Sequence, residues 1–231
     1  MEDSIEREIE KKFEEAILND YKKSNSKRLA GFHVSALSYG CNRKIWYDIT
    51  RESVESNDDM DGVYRMWIGT KLHETPITEN HEFQMKSKRN GYILSGTIDE
   101  IVETSKGKFL IDKKFQQKLP TSMQEHHRNQ VMFYAVLLKD VKHIDVDGVA
   151  LVYFLPQMSD RKDKFGNVLP RMKVFVAQVT PEILEEYRKK LYGMVDDVSA
   201  KIKSDELPEK NISWYCKYCP HKQLCDVDGK R

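Results

Sequence analysis

Two aspartates and a lysine lie in two consecutive predicted strands near the middle of the chain. Asp99 is in the segment GTIDEI, and Asp112, with Lys114 two residues later, is in FLIDKKF. Each aspartate interrupts an otherwise apolar segment, where a carboxylate needs a partner. Two carboxylates beside an ammonium group suit a hard cation such as Mg²⁺ or Mn²⁺, which takes oxygen ligands. Such an ion can activate water and stabilise the charge that develops on a phosphate.

The hairpin that joins the two strands sets the distance between the aspartates. The segment TSKG, residues 104–107, predicts a tight turn in which the glycine supplies the unusual backbone geometry. The register of that turn places Asp99 directly opposite Asp112, unless a bulge shifts it by one residue. Strand alternation puts Lys114 on the face of Asp112 and Lys113 on the other face. The alternative is that these are edge-strand charges that keep a sheet soluble.

The helices predicted before and after this hairpin supply three more candidates. His73, in GTKLHE, lies before the strands and is a candidate metal ligand; an exposed or internally bonded histidine is the alternative. Gln130 and Tyr134 are four residues apart on the following helix and therefore share a face. That face could orient a phosphodiester or a catalytic side chain. A packed tyrosine beside a solvated amide is the alternative for this pair.

Three of the four cysteines are close together near the end of the sequence, and the fourth lies far upstream. Cys216, Cys219 and Cys225 are in WYCKYCPHKQLC, whereas Cys41 is in SALSYGCNRKIWY. In a cytosolic protein such a set indicates metal binding rather than disulfides. Four thiolates can hold an iron–sulfur cluster or a zinc ion, and His221 could replace one cysteine in a zinc site. The residues alone leave both open.

The surrounding pattern predicts a mixed α/β core with helical flanks. Residues 1–23 predict an amphipathic helix, and Ser35 is predicted to cap a second helix that continues through Cys41 to Trp46. A third helix is predicted over VYRMWIGTKLHE. Three strands, a helix, two apolar strands and a long helix follow, at 81–88, 92–103, 108–115, 126–140, 148–156, 171–179 and 180–203.

The composition is that of an ordinary soluble protein. Hydrophobic residues make up 39% and charged residues 32%, with a net charge of +1. No run approaches the roughly 18 apolar residues of a membrane span, and the acidic start MEDSIEREIE is unlike a secretory or transit signal. We therefore expect a cytoplasmic protein with no membrane partner. The net charge does not by itself indicate a nucleic-acid binder, because phosphate contacts with basic side chains supply most non-specific affinity.

The order of the candidate residues resembles the RecB-type branch of the PD-(D/E)xK nucleases. In that family a histidine and two acidic residues bind Mg²⁺ or Mn²⁺, a lysine positions or activates the attacking water, and a Gln-x₃-Tyr helix orients the DNA and the lysine. The resemblance spans roughly residues 33–225 and implies a restriction-endonuclease-like core, a mixed central sheet flanked by helices. The matching residues, in order, are His73, Asp99, Asp112, Lys114, Gln130 and Tyr134.

The resemblance implies a role for each of these residues. His73, Asp99 and Asp112 would hold the metal. The catalytic group would be Asp99, Asp112, Lys114, Gln130 and Tyr134, and the last two would also contact DNA. The cysteine spacing is similar to that of the iron–sulfur members of the branch, in which one cysteine before the core and three after it hold a 4Fe–4S cluster. Cys41, Cys216, Cys219 and Cys225 would be those ligands. The start of the family's pattern, Ser-x₅-Cys-x-Arg, makes Arg43 a candidate DNA contact.

The chain is compact and has no helicase domain, and in these respects it resembles the CRISPR-associated RecB-like exonucleases, the Cas-four family. The resemblance implies a metal-dependent nuclease that acts on single-stranded DNA or frayed ends and helps the Cas-one and Cas-two integrase to process new spacers. Stand-alone repair exonucleases and virus-encoded relatives have similar motifs. A DNA-binding adaptor built on an inactive nuclease core and a zinc-stabilised structural protein are further alternatives.

Four segments are predicted along the chain. Residues 1–30 form an amino-terminal helix and linker, and residues 31–80 form a helical segment with the first cluster cysteine and the motif histidine. Residues 81–205 form the nuclease core, and residues 206–231 form the cysteine tail that completes the iron–sulfur module. The acidic amino-terminal helix has no counterpart in the family and is a candidate surface for a homo-oligomer or another partner.

Overall fold

The computed structural model describes residues 12–21, 31–51, 60–74, 78, 81–155, 162 and 171–228. The chain divides into two compact units. The first combines Met1–Leu29 with Ser56–Thr75, and the second combines Ala30–Glu55 with Pro76–Arg231. This division cuts across the four segments predicted from the sequence, whose boundaries stay predictions.

The described elements are seven α-helices, one 3₁₀ helix and six strands. The helices are α1 (residues 12–21), α2 (Val34–Leu37), α3 (Asn42–Thr50), α4 (Met60–His73), α5 (Glu125–Lys142), α6 (Pro181–Lys203) and α7 (Lys222–Asp228), with a 3₁₀ helix at Trp214–Tyr218. The strands are β1 (Phe32–His33), β2 (His81–Arg89), β3 (Tyr92–Thr104), β4 (Gly107–Phe115), β5 (Gly148–Phe154) and β6 (Met172–Gln178). None of the described helices is both long and apolar enough to cross a membrane.

In the first unit, the described residues form α1 and α4, which are joined by polar contacts. The indole Nε1 of Trp67 donates a hydrogen bond to Asp20 Oδ2 at 2.9 Å, and Lys71 Nζ lies 3.2 Å from the same carboxylate oxygen. The predicted amphipathic helix is therefore present over residues 12–21. Its earlier positions, Ile5 and Ile9, lie outside the described residues.

A mixed six-stranded sheet is the centre of the second unit. Its order is β1–β3–β4–β5–β6, with β2 on the opposite edge of β3. The pairs β1–β3 and β4–β5 are parallel, and the other pairs are antiparallel. Helix α5 packs on strands β2 to β5, and α6 packs on α5 and α3. The predicted fold class, a mixed central sheet flanked by helices, is confirmed.

Strand β3 pairs with two different strands along one edge. It pairs with β1 at residues 94–95 and with β4 at residues 100–104. Thr104 lies opposite Gly107, so the predicted turn and register are confirmed. The β3–β4 ladder ends one pair before the aspartates, and between residues 95 and 100 this edge pairs with neither strand. Asp99 therefore lies in a gap between β1 and β4.

The segment around the first cysteine differs from the single helix that was predicted. Helices α2 and α3 are separated by a turn in which Gly40 has a φ of 71°. Residues other than glycine rarely adopt this left-handed conformation, so the glycine ends the helix. Ser35 lies inside α2, whose N-cap is His33, and Cys41 is the N-cap of α3. The prediction that Ser35 caps a continuous helix is wrong.

The long carboxy-terminal helix begins and ends where the sequence predicts. Thr180 is the N-cap of α6, and its hydroxyl accepts a hydrogen bond from the backbone N–H of Ile183 at 3.3 Å. Pro181 is the first helical residue, a position where its missing N–H costs nothing.

The strand β1 was not predicted, because two residues are too few to show a period.

A buried ion pair links β3 to β4 beside the gap. Lys113 Nζ lies 2.7 Å from Glu100 Oε1, and the two side chains are 2% and 0% exposed. Glu100 Oε2 also accepts a hydrogen bond from the backbone N–H of Thr78 at 3.0 Å. A buried charge is tolerated only when it is paired and hydrogen-bonded in this way.

Replacing Lys113 with methionine should lower the free energy of unfolding by about 3–5 kcal/mol, because Glu100 would stay buried without its countercharge. Chemical denaturation measures the change. The matched control is Lys108→Met on the same hairpin, where Nζ lies 3.6 Å from Glu103 and the lysine is 37% exposed. A surface pair of this kind contributes at most about 1 kcal/mol. Equal losses in the two variants would contradict the argument.

Candidate active site and cysteine cavity

The carboxylate of Asp99 occupies the gap between β1 and β4 along the edge of β3. Its Oδ2 accepts a hydrogen bond from the backbone N–H of Lys113 at 2.7 Å, and the aspartate is buried. A buried donor and a buried acceptor thus satisfy each other at the point where the ladder has ended. This bond fixes Asp99 against the residue that follows Asp112 on the neighbouring strand.

Asp112 is the centre of a cluster of polar side chains in the second unit. It is 1% exposed, and its Oδ2 lies 2.6 Å from Lys114 Nζ. Residues two apart in a strand point to the same face, so this contact follows the predicted alternation. Gln130 Nε2 of α5 lies 3.5 Å from the other oxygen, Oδ1, at the limit of hydrogen-bond distance.

Helix α5 extends the cluster through Gln130 and Tyr134. The amide Nε2 of Gln130 donates a hydrogen bond to the Tyr134 hydroxyl at 2.9 Å, and both side chains are buried. The alternative of a solvated amide is therefore wrong. Gly96 of β3 makes room for the ring, because a Cβ at that position would lie 2.7 Å from Tyr134 Cε1. The glycine of the GTID segment is thus a packing requirement of the cluster.

His73 is the candidate that the described cluster does not contain. It is the last residue of α4 in the first unit, whereas Asp99, Asp112, Lys114, Gln130 and Tyr134 belong to the second. Its role as a metal ligand stays a prediction. Within the described ranges, no group of three or more His, Cys, Asp or Glu side chains is arranged to hold a metal ion.

Two histidines and a tyrosine near the cluster were not singled out from the sequence. His127 Nδ1, near the start of α5, lies 3.0 Å from the hydroxyl of Tyr153 on β5. Burial, with a smaller effect of the Lys114 ammonium, lowers the pKa of His127 to about 2 and that of His126 to about 4. Both imidazoles are therefore neutral at pH 7. In the sequence, the only sign of these residues was the adjacent pair His126 and His127 at the start of the predicted helix.

All four cysteines line one small cavity of about 50 Å³. Cys41 comes from the N-cap of α3, Cys216 from the 3₁₀ helix, Cys219 from the residue after it and Cys225 from α7. All four are free. The fold therefore brings together the residues that the sequence placed far apart.

Side-chain hydrogen bonds join the two chain segments that carry these cysteines. One segment is residues 40–48 and the other is residues 208–228. The bonds are Arg43 Nε to Pro208 O (2.7 Å), Tyr47 Oη to Asp228 Oδ2 (2.7 Å), Asn211 Nδ2 to Gly40 O (2.9 Å) and His221 Nε2 with Asp48 Oδ1 (2.8 Å).

Buried cationic and imidazole groups surround the cysteine cavity. The guanidinium of Arg43 is buried, and besides Pro208 its contact is Cys225 Sγ, 4.0 Å from Nη1. Neither partner is a carboxylate. His221 lines the same cavity, and its buried Nδ1 has no hydrogen-bond partner in the described part of the chain. Arg43 thus lies beside the cysteines and not in the Asp112 cluster, and its contact with DNA stays a prediction.

The chain belongs to the PD-(D/E)XK nuclease superfamily, whose family model matches residues 42–226. The crystal structure of SSO0001 is similar in fold, with a TM-score of 0.57 at 17% identity over 92% of this chain and 95% of that chain. The crystal structure of a phage-related exonuclease from Haemophilus somnus 129PT has a TM-score of 0.47 at 13% identity, over 79% of this chain and 99% of that chain. No curated protein sequence matches the chain. The predicted superfamily is confirmed.

Substituting alanine for Gly96 should displace the Tyr134 ring and, through it, Gln130. We expect the free energy of unfolding to fall by about 1–3 kcal/mol, as for other overpacked sites, and nuclease activity to fall by about 10²-fold. Chemical denaturation and cleavage rates measure the two effects. The control is Gly193→Ala in α6, where a Cβ meets nothing within 4 Å. That variant should keep full activity, and equal behaviour of the two would disprove the packing role of Gly96.

Proposed function

We propose that this protein is a metal-dependent deoxyribonuclease that hydrolyses phosphodiesters at Asp99, Asp112 and Lys114. The observation that carries the proposal is Asp112, almost fully buried, with the Lys114 ammonium 2.6 Å from one of its oxygens. A buried carboxylate can hold a metal ion, and a lysine beside it can orient water and stabilise negative charge on a phosphate. The adaptor alternative lacks support, because none of the motif residues is missing from the sequence.

Asp99 and Asp112 offer the kind of ligand that a divalent cation takes. Both carboxylates are buried and come from neighbouring strands, and Lys114 Nζ lies 2.6 Å from Asp112 Oδ2. Oxygen ligands of this kind suit Mg²⁺ or Mn²⁺. Mg²⁺ is commonly held by one or two carboxylates, with water and substrate phosphate completing its shell.

Asp99 and Asp112 would hold Mg²⁺ or Mn²⁺, with His73 as a further proposed ligand. The ion would supply positive charge to the phosphate and acidify a water molecule. Lys114 would orient that water and stabilise the charge on the phosphate oxygens. Gln130 and Tyr134, bonded to each other at 2.9 Å, would hold Asp112 in place and face the DNA.

Asp112→Ala should lower cleavage by about 10²-fold or more, because it removes a proposed metal ligand and the partner of Lys114. The cleavage assay uses single-stranded DNA labelled at one end or the other, in the presence of Mn²⁺ or of EDTA. The polarity of cleavage follows from which of the two labelled DNAs is shortened step by step. The matched control is Asp145→Ala, an exposed aspartate whose Oδ2 lies 2.6 Å from Lys139 Nζ. Cleavage by Asp112→Ala at the wild-type rate, with circular dichroism unchanged, would disprove the site assignment.

We also propose that Cys41, Cys216, Cys219 and Cys225 hold a 4Fe–4S cluster. Four thiolates are the usual ligand set of such a cluster, and the four line one cavity. Thiolates would give the buried Arg43 guanidinium, 4.0 Å from Cys225 Sγ, the negative partner that its carbonyl contact does not supply. Zinc is the alternative, because it takes the same four thiolates or three with His221.

Cys41→Ser should lose iron and visible colour, and its unfolding midpoint should fall, because the cluster joins two distant segments of the chain. Iron and acid-labile sulfide per chain, after anaerobic purification, measure loading, and thermal denaturation measures stability. Cleavage activity should fall only as the fold is lost. Zinc in place of iron in the wild type would contradict the cluster. Loss of the cluster with an unchanged midpoint would contradict its structural role.

The proposed substrate is single-stranded DNA or frayed duplex ends, and the proposed setting is spacer processing with the Cas-one and Cas-two integrase in the cytoplasm. Support comes from the motif order and the cysteine spacing, which resemble the Cas-four family. A stand-alone or virus-encoded repair nuclease is the alternative. Cleavage by the isolated chain that is unaffected by the integrase would favour that alternative.

A further inference from the structure

A second cavity, of about 620 Å³, lies in the second unit. Its walls come from four separate segments: Tyr39 in the turn after α2, Gln116 after β4, His126 at the start of α5, and Trp214 and Tyr218 at the two ends of the 3₁₀ helix. The volume is within the range of small-ligand sites, about 300–1,000 Å³. The described lining contains none of the motif residues, so the proposed chemistry does not account for this cavity.

Aromatic rings are the main feature of the cavity wall. The Tyr39 ring is stacked on Tyr215, with centroids 4.0 Å apart, and on His126, with centroids 5.2 Å apart. Trp214 packs against His126 at 5.1 Å. At the mouth, Trp214 and Tyr218 are 58% and 63% exposed. Half-buried rings thus pack against the exposed Trp214, which in turn lies 6.3 Å from the exposed Tyr218 ring. Exposed apolar groups gathered in this way are typical of a binding surface.

The cavity begins where β4 ends, close to Lys114. Gln116, which lines it, follows Lys114 by two residues and is fixed by a hydrogen bond from its backbone N–H to Phe154 O at 2.9 Å. The charge of Lys114 also contributes, after burial, to the lowered pKa of His126, which keeps that ring neutral. The side-chain amides of Gln116 and Gln124 offer both donors and acceptors to a ligand.

Lys217, next to the cavity, and Glu125, in its lining, bring opposite charges to the exposed rings. Lys217 Nζ is 4.7 Å from the centroid of the Tyr218 ring, where it can meet a phosphate beside a stacked base. Glu125 is the acidic residue of the lining. The wall is therefore aromatic and close to electrically balanced, which suits the flat face of a base better than a run of phosphates.

We propose that this cavity binds an unpaired nucleobase of single-stranded DNA, stacked on Trp214 and Tyr218 beside the cleavage site. The proposal rests on the proposed nuclease function. Proteins hold single strands by stacking bases on aromatic rings with cations beside them, largely without regard to sequence. A base inside a duplex has both faces covered by its neighbours and cannot enter. The cavity therefore selects single strands and frayed ends, and it gives a nearly neutral protein a source of affinity other than phosphate contacts.

The test uses 2-aminopurine, a fluorescent base that is quenched by stacking, placed at successive positions of a DNA oligonucleotide in EDTA. We expect quenching at one or two neighbouring positions. Trp214→Ala should abolish that quenching and weaken binding by about ten-fold or more, and Trp214→Phe should keep most of both. Ile212→Ala is the control, because Ile212 is exposed in the same segment but does not line the cavity. If Trp214→Ala fails to fold, Tyr218→Ala takes its place.

A second measurement links the ring to the base. An abasic site at the quenched position should weaken binding to the wild type as much as Trp214→Ala does, and should cost that variant nothing more. Three results would overturn the proposal. The losses of binding caused by the abasic site and by Trp214→Ala could be additive, the quenching could be spread over many positions, or Trp214→Ala could bind DNA as Ile212→Ala does. If the wild type shows metal-dependent cleavage that Asp112→Ala loses, but no position-specific quenching is seen, the proposed nuclease function is supported and base binding in the cavity is disproved.

Discussion

The hydrogen bond from the backbone N–H of Lys113 to the carboxylate of Asp99 is the interaction on which the site depends. In an antiparallel pair, an N–H that faces the neighbouring strand normally donates to a carbonyl of that strand. Here a side chain accepts the bond at 2.7 Å. The ladder can therefore end inside a buried sheet without an unpaired donor. The ladder ends one pair before Asp99 and Asp112, and the carboxylate of Asp99 bonds instead to the residue after Asp112.

Lys113 serves both the site and the core. Its backbone holds Asp99, while its side chain forms the buried ion pair with Glu100 at 2.7 Å. The neighbouring Lys114 instead pairs with Asp112 at 2.6 Å. Two adjacent lysines thus neutralise carboxylates on opposite faces of β4. A change at either lysine disturbs the charge balance of the whole hairpin, and the family's Asp-x-Lys pattern names only one of the two.

The hairpin and the elements around it could be predicted from sequence, because the information is local. The turn at residues 104–107 fixes the register, and the two-residue strand period assigns Lys113 and Lys114 to opposite faces. The break at Gly40 could not be predicted, since the apolar pattern of a helix continues across it and only the backbone conformation shows the turn. The role of Gly96 needed the position of Tyr134, which comes from a different element.

The aromatic cavity could not have been predicted, because its wall combines Tyr39, His126 and the 3₁₀ helix, which are remote from one another in sequence. The gathering of the four cysteines was predicted only through the resemblance to a family. Nothing in the local pattern near Cys41 indicates that the chain's last segment packs beside it. Tertiary placement of this kind is invisible to periodicity and turn signals.

The bonds between the two cysteine-bearing segments join residues 165 to 181 positions apart, as in Arg43–Pro208 and Tyr47–Asp228. Contacts this remote in sequence carry a large entropic cost of loop closure, so we expect them to form late in folding. The 3₁₀ helix at Trp214–Tyr218 belongs to the segment that closes the loop, so the aromatic wall is assembled with it. The carboxylates of the hairpin come together by local pairing and need no such closure. We therefore expect a folding chain to bring together the proposed catalytic carboxylates before it forms the surface that would hold a strand.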